Sequence, residues 1–274
     1  MHTDILPEQL AGKKQGKLTI FASYFCGTGK SYAMLETAEQ ARLAGRDVVI
    51  GLLSCEQWPQ TQLLAEQFEV MPCKTVIRDG RTDYEMDLDA CLKRAPELIL
   101  VDDLSHLNMD GSRHMKRYQD IEELLRAGID VYTTVNVQHI ESINDTVASI
   151  TGVMVRERIP DSVFDNADQV ELVDIEPQEL IERLQSGNVY KETQAKQALH
   201  NFFTEENLTA LRELALRRCA DRVNILTENA RVKHHGDYHT DEHILVCVSS
   251  SPSNAKIIRT AARMASAFRG AFTA

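Results

Sequence analysis

Two hydrophobic periods alternate along this chain. Nearly continuous apolar runs occur at Thr19-Ile20-Phe21-Ala22, Val48-Val49-Ile50 with Leu52-Leu53, Leu98-Ile99-Leu100-Val101 and Asp130 to Val135. Such runs predict parallel strands covered on both faces. Between them, apolar residues recur every three to four positions, which predicts amphipathic helices. Met34, Leu35, Ala38 and Ala41 mark a helix from Lys30 to about Ala44, with Gly45 at its C-cap. Shorter helices are predicted over 60–68 and from Asp87 to Arg94, where Pro96 stops the second. Between these two, a strand near Thr75–Ile77 leads into a polar turn at Asp79-Gly80. Ser112 is expected to cap a helix burying Met115, Tyr118, Ile121, Leu124 and Leu125, closed by Gly128. Another helix opens at Val137-Gln138-His139, with Ile140, Ile143, Val147 and Ile150 inward. Gln169 to Ile175 reads as a further strand, followed by Pro177 in the first turn of a helix. Alternation of this kind implies an α/β fold with a doubly wound, mostly parallel sheet.

Outside that block the pattern changes. Residues 1–16 are polar and read as an arm, and the α/β block is expected to fill 17–190. From 191 to 232 the period is helical throughout, with Thr204 as a cap and Leu208, Leu211, Leu214, Ala215 and Val223 buried. Arg212, Arg217, Arg218 and Arg222 form a basic surface, read either as a solvated helix face or as an anion-binding or docking face. Residues 233–243 hold four histidines among glycine and acids, which suits a polar linker or a metal site. Ile244 to Val248 is then a new strand, followed by a loop and a helix to Phe268. A strand and one helix cannot bury both faces of a sheet, so 244–274 reads as the start of a second α/β unit.

Composition narrows the function classes. Over 274 residues the net charge is −11, with no long basic block, which argues against nucleic acid or an anionic membrane as the main partner. No apolar run approaches the ~20 residues needed to cross a bilayer. The first 17 residues lack an apolar signal core, so a cytoplasmic location without secretion is expected. Six cysteines are scattered with no Cys-x-x-Cys pair and read as reduced thiols. Cys26 lies inside the loop after the first strand, where packing is the expected role.

That loop carries the clearest chemistry. Phe25-Cys26-Gly27-Thr28-Gly29-Lys30-Ser31 joins a buried strand to a helix N-terminus. Backbone N–H groups and the helix dipole make such a turn a phosphate site. Gly27 and Gly29 allow close backbone approach, Lys30 would reach β/γ-phosphates, and the Ser31 hydroxyl would sit on Mg²⁺. The full motif has a glycine six residues before the lysine; Tyr24 stands there. Asp102, ending the Leu98–Val101 strand, would hold Mg²⁺ through water, and Asp103 would orient an attacking water. These residues predict a phosphate-bearing ligand with Mg²⁺, and Asn136–His139 would lie at the same edge of the sheet.

Longer motifs carry a resemblance. Val101-Asp102-Asp103-Leu104-Ser105-His106, Gly111-Ser112-Arg113-His114, Lys116-Arg117-Tyr118-Gln119-Asp120, the run Gly128 to His139 and Leu211 to Arg218 are similar to the N-terminal sensor region of KdpD-family histidine kinases, over roughly residues 15–230. The tail from about 243 resembles the beginning of the universal-stress-protein-like domain that follows in that family. The resemblance implies an ATP-binding regulatory module of a two-component system answering potassium limitation or osmotic stress. It gives Gln138 and His139 the role of sensing the γ-phosphate; for His139 the alternative is a helix-start residue satisfied by the backbone. It also implies the transmembrane and kinase portions of such a sensor, or its response regulator, as partners. Ser54, Glu56 and Trp58 stand where the family has a Glu-x-His-x-Arg pattern, and Asp103 replaces its usual glutamate. Phosphoacceptor and kinase catalytic domains are not in this sequence, so histidine-kinase activity is not expected of it. Cyclic di-AMP binding is not assigned either, because most of the stress-protein-like domain is missing. Two rivals remain: a free-standing NTPase or small-molecule phosphotransferase, and an interaction module that binds no nucleotide.

Overall fold

A computed structural model describes residues 15–54, 59–78, 81–185, 204–234 and 243–247, with 254, 257, 258, 261 and 271–273. The chain divides into two compact units, Met1–Arg222 and Val223–Ala274.

The first unit is a six-stranded sheet. Its strands are β1 (Leu18–Ser23), β2 (Val48–Leu52), β3 (Glu69–Val70), β6 (Leu98–Val101), β7 (Asp130–Asn136) and β8 (Gln169–Leu172), in the spatial order β3-β2-β6-β7-β1-β8. Every pairing is parallel, as the apolar runs predict. Strands β4 (Cys73–Arg78) and β5 (Arg81–Met86) pair antiparallel outside this sheet. The strand expected near Thr75–Ile77 is thus the first arm of a ribbon, and the expected turn at 79–80 lies outside the described residues.

Side-chain alternation sends each strand into two cores. Phe21, Val48, Ile50, Leu98 and Leu100 face Met34, Leu35 and Ala38 of α1 (Lys30–Leu43), with Phe68 after α2 (Pro59–Ala65). Ile20, Ala22, Val49, Ile99 and Val101 face the other way. There they meet α3 (Leu88–Arg94), α4 (Arg117–Arg126), α5 (Asn144–Thr151), α6 (Asp161–Asp165), α7 (Pro177–Gln185) and the long α8 (Glu205–His234). Strand ends, helix caps and loops are therefore gathered at the carboxyl edge of the sheet, where ligands of such folds bind.

Several expectations are corrected. Helix α4 starts at Arg117, not after Ser112, because the Gln119 side chain caps the Lys116 N–H at 3.2 Å; Met115 is left 81% exposed. The expected helix at 137 is two 3₁₀ turns, Val137–His139 and Glu141–Ile143, before α5. The backbone there bonds to Ile159, through Glu141 N–H to its carbonyl and Ile159 N–H to the His139 carbonyl, which prevents a continuous α-helix. Strand β8 ends at Leu172 rather than Ile175. Thr204 does cap α8, accepting from Asn207 N–H at 3.2 Å, but Val223 is 59% exposed.

Arg212, Arg217, Arg218 and Arg222 of α8 are not a free basic surface. Its buried residues Leu208, Leu211, Ala215, Arg218 and Arg222 recur at 3-4-3-4 spacing, so two arginines continue the inward stripe. Arg218 binds Asp161 at 3.2 Å and Asp165 at 2.7 Å. Arg222 donates to the carbonyls of Phe164 and Ala167. Arg212 is held by Asp174 and Glu176, and Arg217 by Glu213 one turn earlier.

In the second unit, β9 (His243–Leu245) pairs in parallel with β10 (Ala271–Thr273), so the described residues of this segment hold two strands where one is expected. Cys26, Cys73, Cys91, Cys219 and Cys247 are free thiols.

Candidate functional site

Strand β1 delivers the loop 24–29 to the carboxyl edge of the sheet. Gly27 and Gly29 have φ of 83° and 101°, a region costly to residues bearing a Cβ. A Cβ on Gly29 would meet no atom within 4 Å, so the demand there is conformational alone. Gly29→Ala is expected to destabilise the fold by about 1–2 kcal/mol, read as a lower denaturant midpoint at constant slope. The Thr28 hydroxyl tightens the turn by donating to the Phe25 carbonyl at 3.2 Å. Tyr24, in place of the motif's glycine, is buried. Its hydroxyl donates to the Ile175 carbonyl at 3.1 Å, and burial pushes its pKa up to about 12.

Lys30 begins α1 and is only 9% exposed. Its ammonium has three donors, and three oxygens meet them: Ser23 Oγ at 3.0 Å, the Phe25 carbonyl at 2.9 Å and Asn136 Oδ1 at 2.7 Å. No carboxylate is among these partners. Burial holds the Lys30 pKa below its ordinary value, against a smaller upward pull from Cys26, Asp102 and Asp103. A desolvated cation with neutral partners is poised to gain from an arriving anion. A phosphate that binds Lys30 must displace at least one of the three.

Beside it, the Ser31 hydroxyl donates to Asp102 at 3.2 Å and 3.1 Å. Asp102 is buried at the end of β6 and also accepts from Ser54 N–H at 3.2 Å and from the Thr134 hydroxyl. Hydroxyl and carboxylate thus share one point, oxygen donors of the kind a hydrated Mg²⁺ takes. Asp103 follows with φ 58°, its N–H bonded to Thr134 Oγ1 at 3.1 Å and its carboxylate accepting from Ser105 at 2.7 Å.

Gln138 and His139 lie in the turn after β7. His139 Nδ1 is 2.8 Å from the Glu157 carbonyl, so that nitrogen carries the proton and faces away from the acceptor role. Gln138 Oε1 is buried without a hydrogen-bond partner among the described residues.

Asn136, expected at this edge of the sheet, and Arg117, to which the sequence assigns no role of its own, complete the arrangement. Asn136 reaches Lys30 because β1 and β7 pair with Ser23 opposite Asn136; a polar residue ending an apolar strand was the available signal. Arg117, 2% exposed, donates to the carbonyls of Asp102 at 3.1 Å and Asp103 at 3.4 Å and to Glu85 Oε2 at 3.1 Å. Glu85 is also 2.8 Å from His106 Nε2. Burial drives its pKa upward, but His106 and Arg117 outweigh that and hold it below the usual value.

Comparison with known proteins bears on what this edge serves. Residues 14–223 match the family described as "KdpD: Osmosensitive K+ channel His kinase sensor domain". The chain belongs to the KdpD sensor-domain family. It is 52% identical over 265 residues to a protein named "Sensor protein KdpD" from Clostridium acetobutylicum, covering 96% of this chain and 29% of that one. The Escherichia coli protein of the same name is 49% identical, covering 96% and 30%. A "Putative sensor protein KdpD" from Synechocystis is 45% identical, covering 98% and 72%. This chain therefore spans about three-tenths of the first two relatives. AMPPCP-bound DnaA from Aquifex aeolicus is similar at 14% identity, covering 89% of this chain and 70% of that one, with a TM-score of 0.30. Among the described residues no helix is long and apolar enough to cross a membrane. The KdpD match ends at 223, next to the boundary of the first compact unit at Arg222.

Proposed function

We propose that this chain is the nucleotide-responsive sensor module of a KdpD-type two-component system answering potassium limitation or osmotic stress. One observation carries the reading: Lys30, Ser31, Asp102 and Asn136 converge at the carboxyl edge of the sheet, with Ser31 on Asp102 and a desolvated ammonium beside them. The donor set fits MgATP. Lys30 and the N–H groups of Gly27 to Gly29 would hold the phosphates, and Ser31 with Asp102 would hold the Mg²⁺. MgATP supplies a polyanion and a hydrolysable terminal phosphate. Asp103 is the acid next to Asp102, and Gln138 and His139 stand in the turn beyond Asn136. The module acts by differential affinity: a nucleotide shifts a two-state balance only as far as it prefers one state. Its partners are the transmembrane and kinase portions of a KdpD-type sensor or its response regulator, on the cytoplasmic side.

Titration calorimetry with ATP and Mg²⁺, with phosphate release followed in the same sample, tests this. Saturable binding with little turnover is the expected result. Fast, acceptor-stimulated turnover would instead favour an NTPase or phosphotransferase. Absence of binding would mean that Lys30 serves only its internal partners. Asp102→Asn is expected to flatten the Mg²⁺ dependence of ATP affinity while leaving metal-free affinity within about twofold, since a neutral amide is a poor magnesium ligand. Equal Mg²⁺ dependence in mutant and wild type would remove Asp102 from the metal site.

A further inference from the structure

The segment 173–183 lies between the phosphate loop and α8 and is gripped from both sides. On the loop side, Val173 N–H donates to the Ala22 carbonyl at 2.8 Å and the Tyr24 hydroxyl to the Ile175 carbonyl at 3.1 Å. Arg183, held by Glu179 at 2.5 Å, donates to the Gly27 carbonyl at 3.3 Å. On the other side, Arg212 of α8 forks onto Asp174 at 2.6–2.9 Å and reaches Glu176 at 2.6 Å. The residue whose carbonyl holds Tyr24 thus sits between the two acids that Arg212 neutralises. Without Arg212, Asp174 and Glu176 repel each other across the backbone that anchors the loop.

We infer that this segment is a mechanical link through which α8 sets the stiffness, and so the ligand affinity, of the phosphate loop. Tyr24 and Arg212 are its positioning residues. Tyr24 accordingly does a job that the glycine of the ordinary motif cannot do: its ring is buried and its hydroxyl crosses to the next element. The regulatory half rests on the nucleotide reading; the linkage itself does not. Binding is tighter when the receiving groups are already ordered, so an α8 that keeps Arg212 engaged favours the bound state. Coupling is reciprocal, so a ligand on the loop strengthens the α8 contact by the same factor.

The test is hydrogen exchange on the nucleotide-free full chain, comparing wild type, Arg212→Ala, Tyr24→Phe, the double variant and Arg217→Ala. Arg217 is exposed on the same helix and, among the described residues, its ion pair is with Glu213 of that helix, so it serves as the control. Arg212→Ala and Tyr24→Phe are each expected to speed exchange in peptides spanning 23–31 roughly threefold or more, with the double variant no faster than the greater single effect. Arg217→Ala is expected to leave those peptides unchanged. Unchanged loop exchange in Arg212→Ala, with faster exchange in α8 itself, would overturn the link. Should Arg212→Ala fail to fold, Tyr24→Phe decides alone, since losing one hydroxyl must speed exchange in 173–183; no change there overturns the link. ATP titration of the same variants reads the regulation: roughly threefold weaker binding in Arg212→Ala than in Arg217→Ala supports it. Equal affinities overturn it. Wild type that binds no ATP overturns the nucleotide reading and the regulation together, while the exchange data still decide the link.

Discussion

Lys30→Met is expected to weaken ATP binding by roughly 10- to 150-fold while leaving the fold as stable as wild type or more so. The affinity loss follows from one charge-assisted contact to phosphate, about 1.5–3 kcal/mol. Stability moves the other way because the ammonium is buried, its hydrogen-bond partners among the described residues are neutral oxygens, and the pull of Asp102 and Asp103 is smaller than the desolvation. Methionine fills nearly the same volume without that desolvation, and two of the three oxygens have further bonding: Ser23 Oγ donates to the Phe25 carbonyl at 2.6 Å, which also receives Thr28. The pH dependence carries the same signature. In the folded chain the Lys30 pKa is lowered, so between that value and the unfolded value near 10.4 the unfolded state binds more protons, and stability rises with pH. Lys30→Met lacks that rise. ATP affinity of the wild type should fall over the same window, because the neutral amine cannot pair with phosphate. Thermal denaturation against pH and calorimetry of both proteins check this. A destabilised variant with wild-type affinity would mean that Lys30 is structural.

Much of the site could be read from spacing. Lys30 and Ser31 are fixed relative to β1 by the turn, and Asp102 by the four apolar residues that end in it; parallel topology then brings both to one edge. What escaped depended on partners distant in the chain. Lys30 and Asn136 are 106 residues apart and meet only because β7 lies next to β1 in a particular register. Residue type alone puts Arg218 and Arg222 at the surface, where arginine usually is. The 3-4-3-4 stripe running from Leu208 through both of them was the stronger signal, and Asp161, Asp165 and two carbonyls explain how it closes. Position within the period should outrank residue type when the two conflict. The turn at 137–143 failed for the opposite reason: its apolar spacing is helical, but Ile159 offers backbone partners that the local pattern cannot show.

The largest stability effect is expected at Arg117. Arg117→Ala leaves Glu85 buried with His106 as its remaining ring partner and strips the Asp102 and Asp103 carbonyls of a donor. Breaking a buried ion pair from one side costs about 3–5 kcal/mol. Arg117→Lys should recover only part, because a point charge cannot serve two carbonyls and a carboxylate together. Adding Glu85→Gln to Arg117→Ala should recover more, since the buried charge that lost its guanidinium is then gone. The sign with pH distinguishes this from simple loss of packing. Wild-type Glu85 is held below its ordinary pKa, so its contribution is present above the unfolded value near 4.3 and is lost as pH falls through the lower folded value. In Arg117→Ala the carboxyl loses the guanidinium that helps hold it down, so its pKa rises relative to wild type and protonation in mild acid costs the variant less. The gap in unfolding free energy between the two proteins should therefore narrow from pH 7 to pH 4. A gap independent of pH would mean that Arg117 acts by volume alone. Asp103 gives a second check. Its backbone sits at φ 58° with Arg117 on its carbonyl and on that of the preceding residue. Releasing that turn should loosen Asp102 as well, so Arg117→Ala, assayed where it remains folded, should show a weaker Mg²⁺ dependence of ATP affinity than Arg117→Lys.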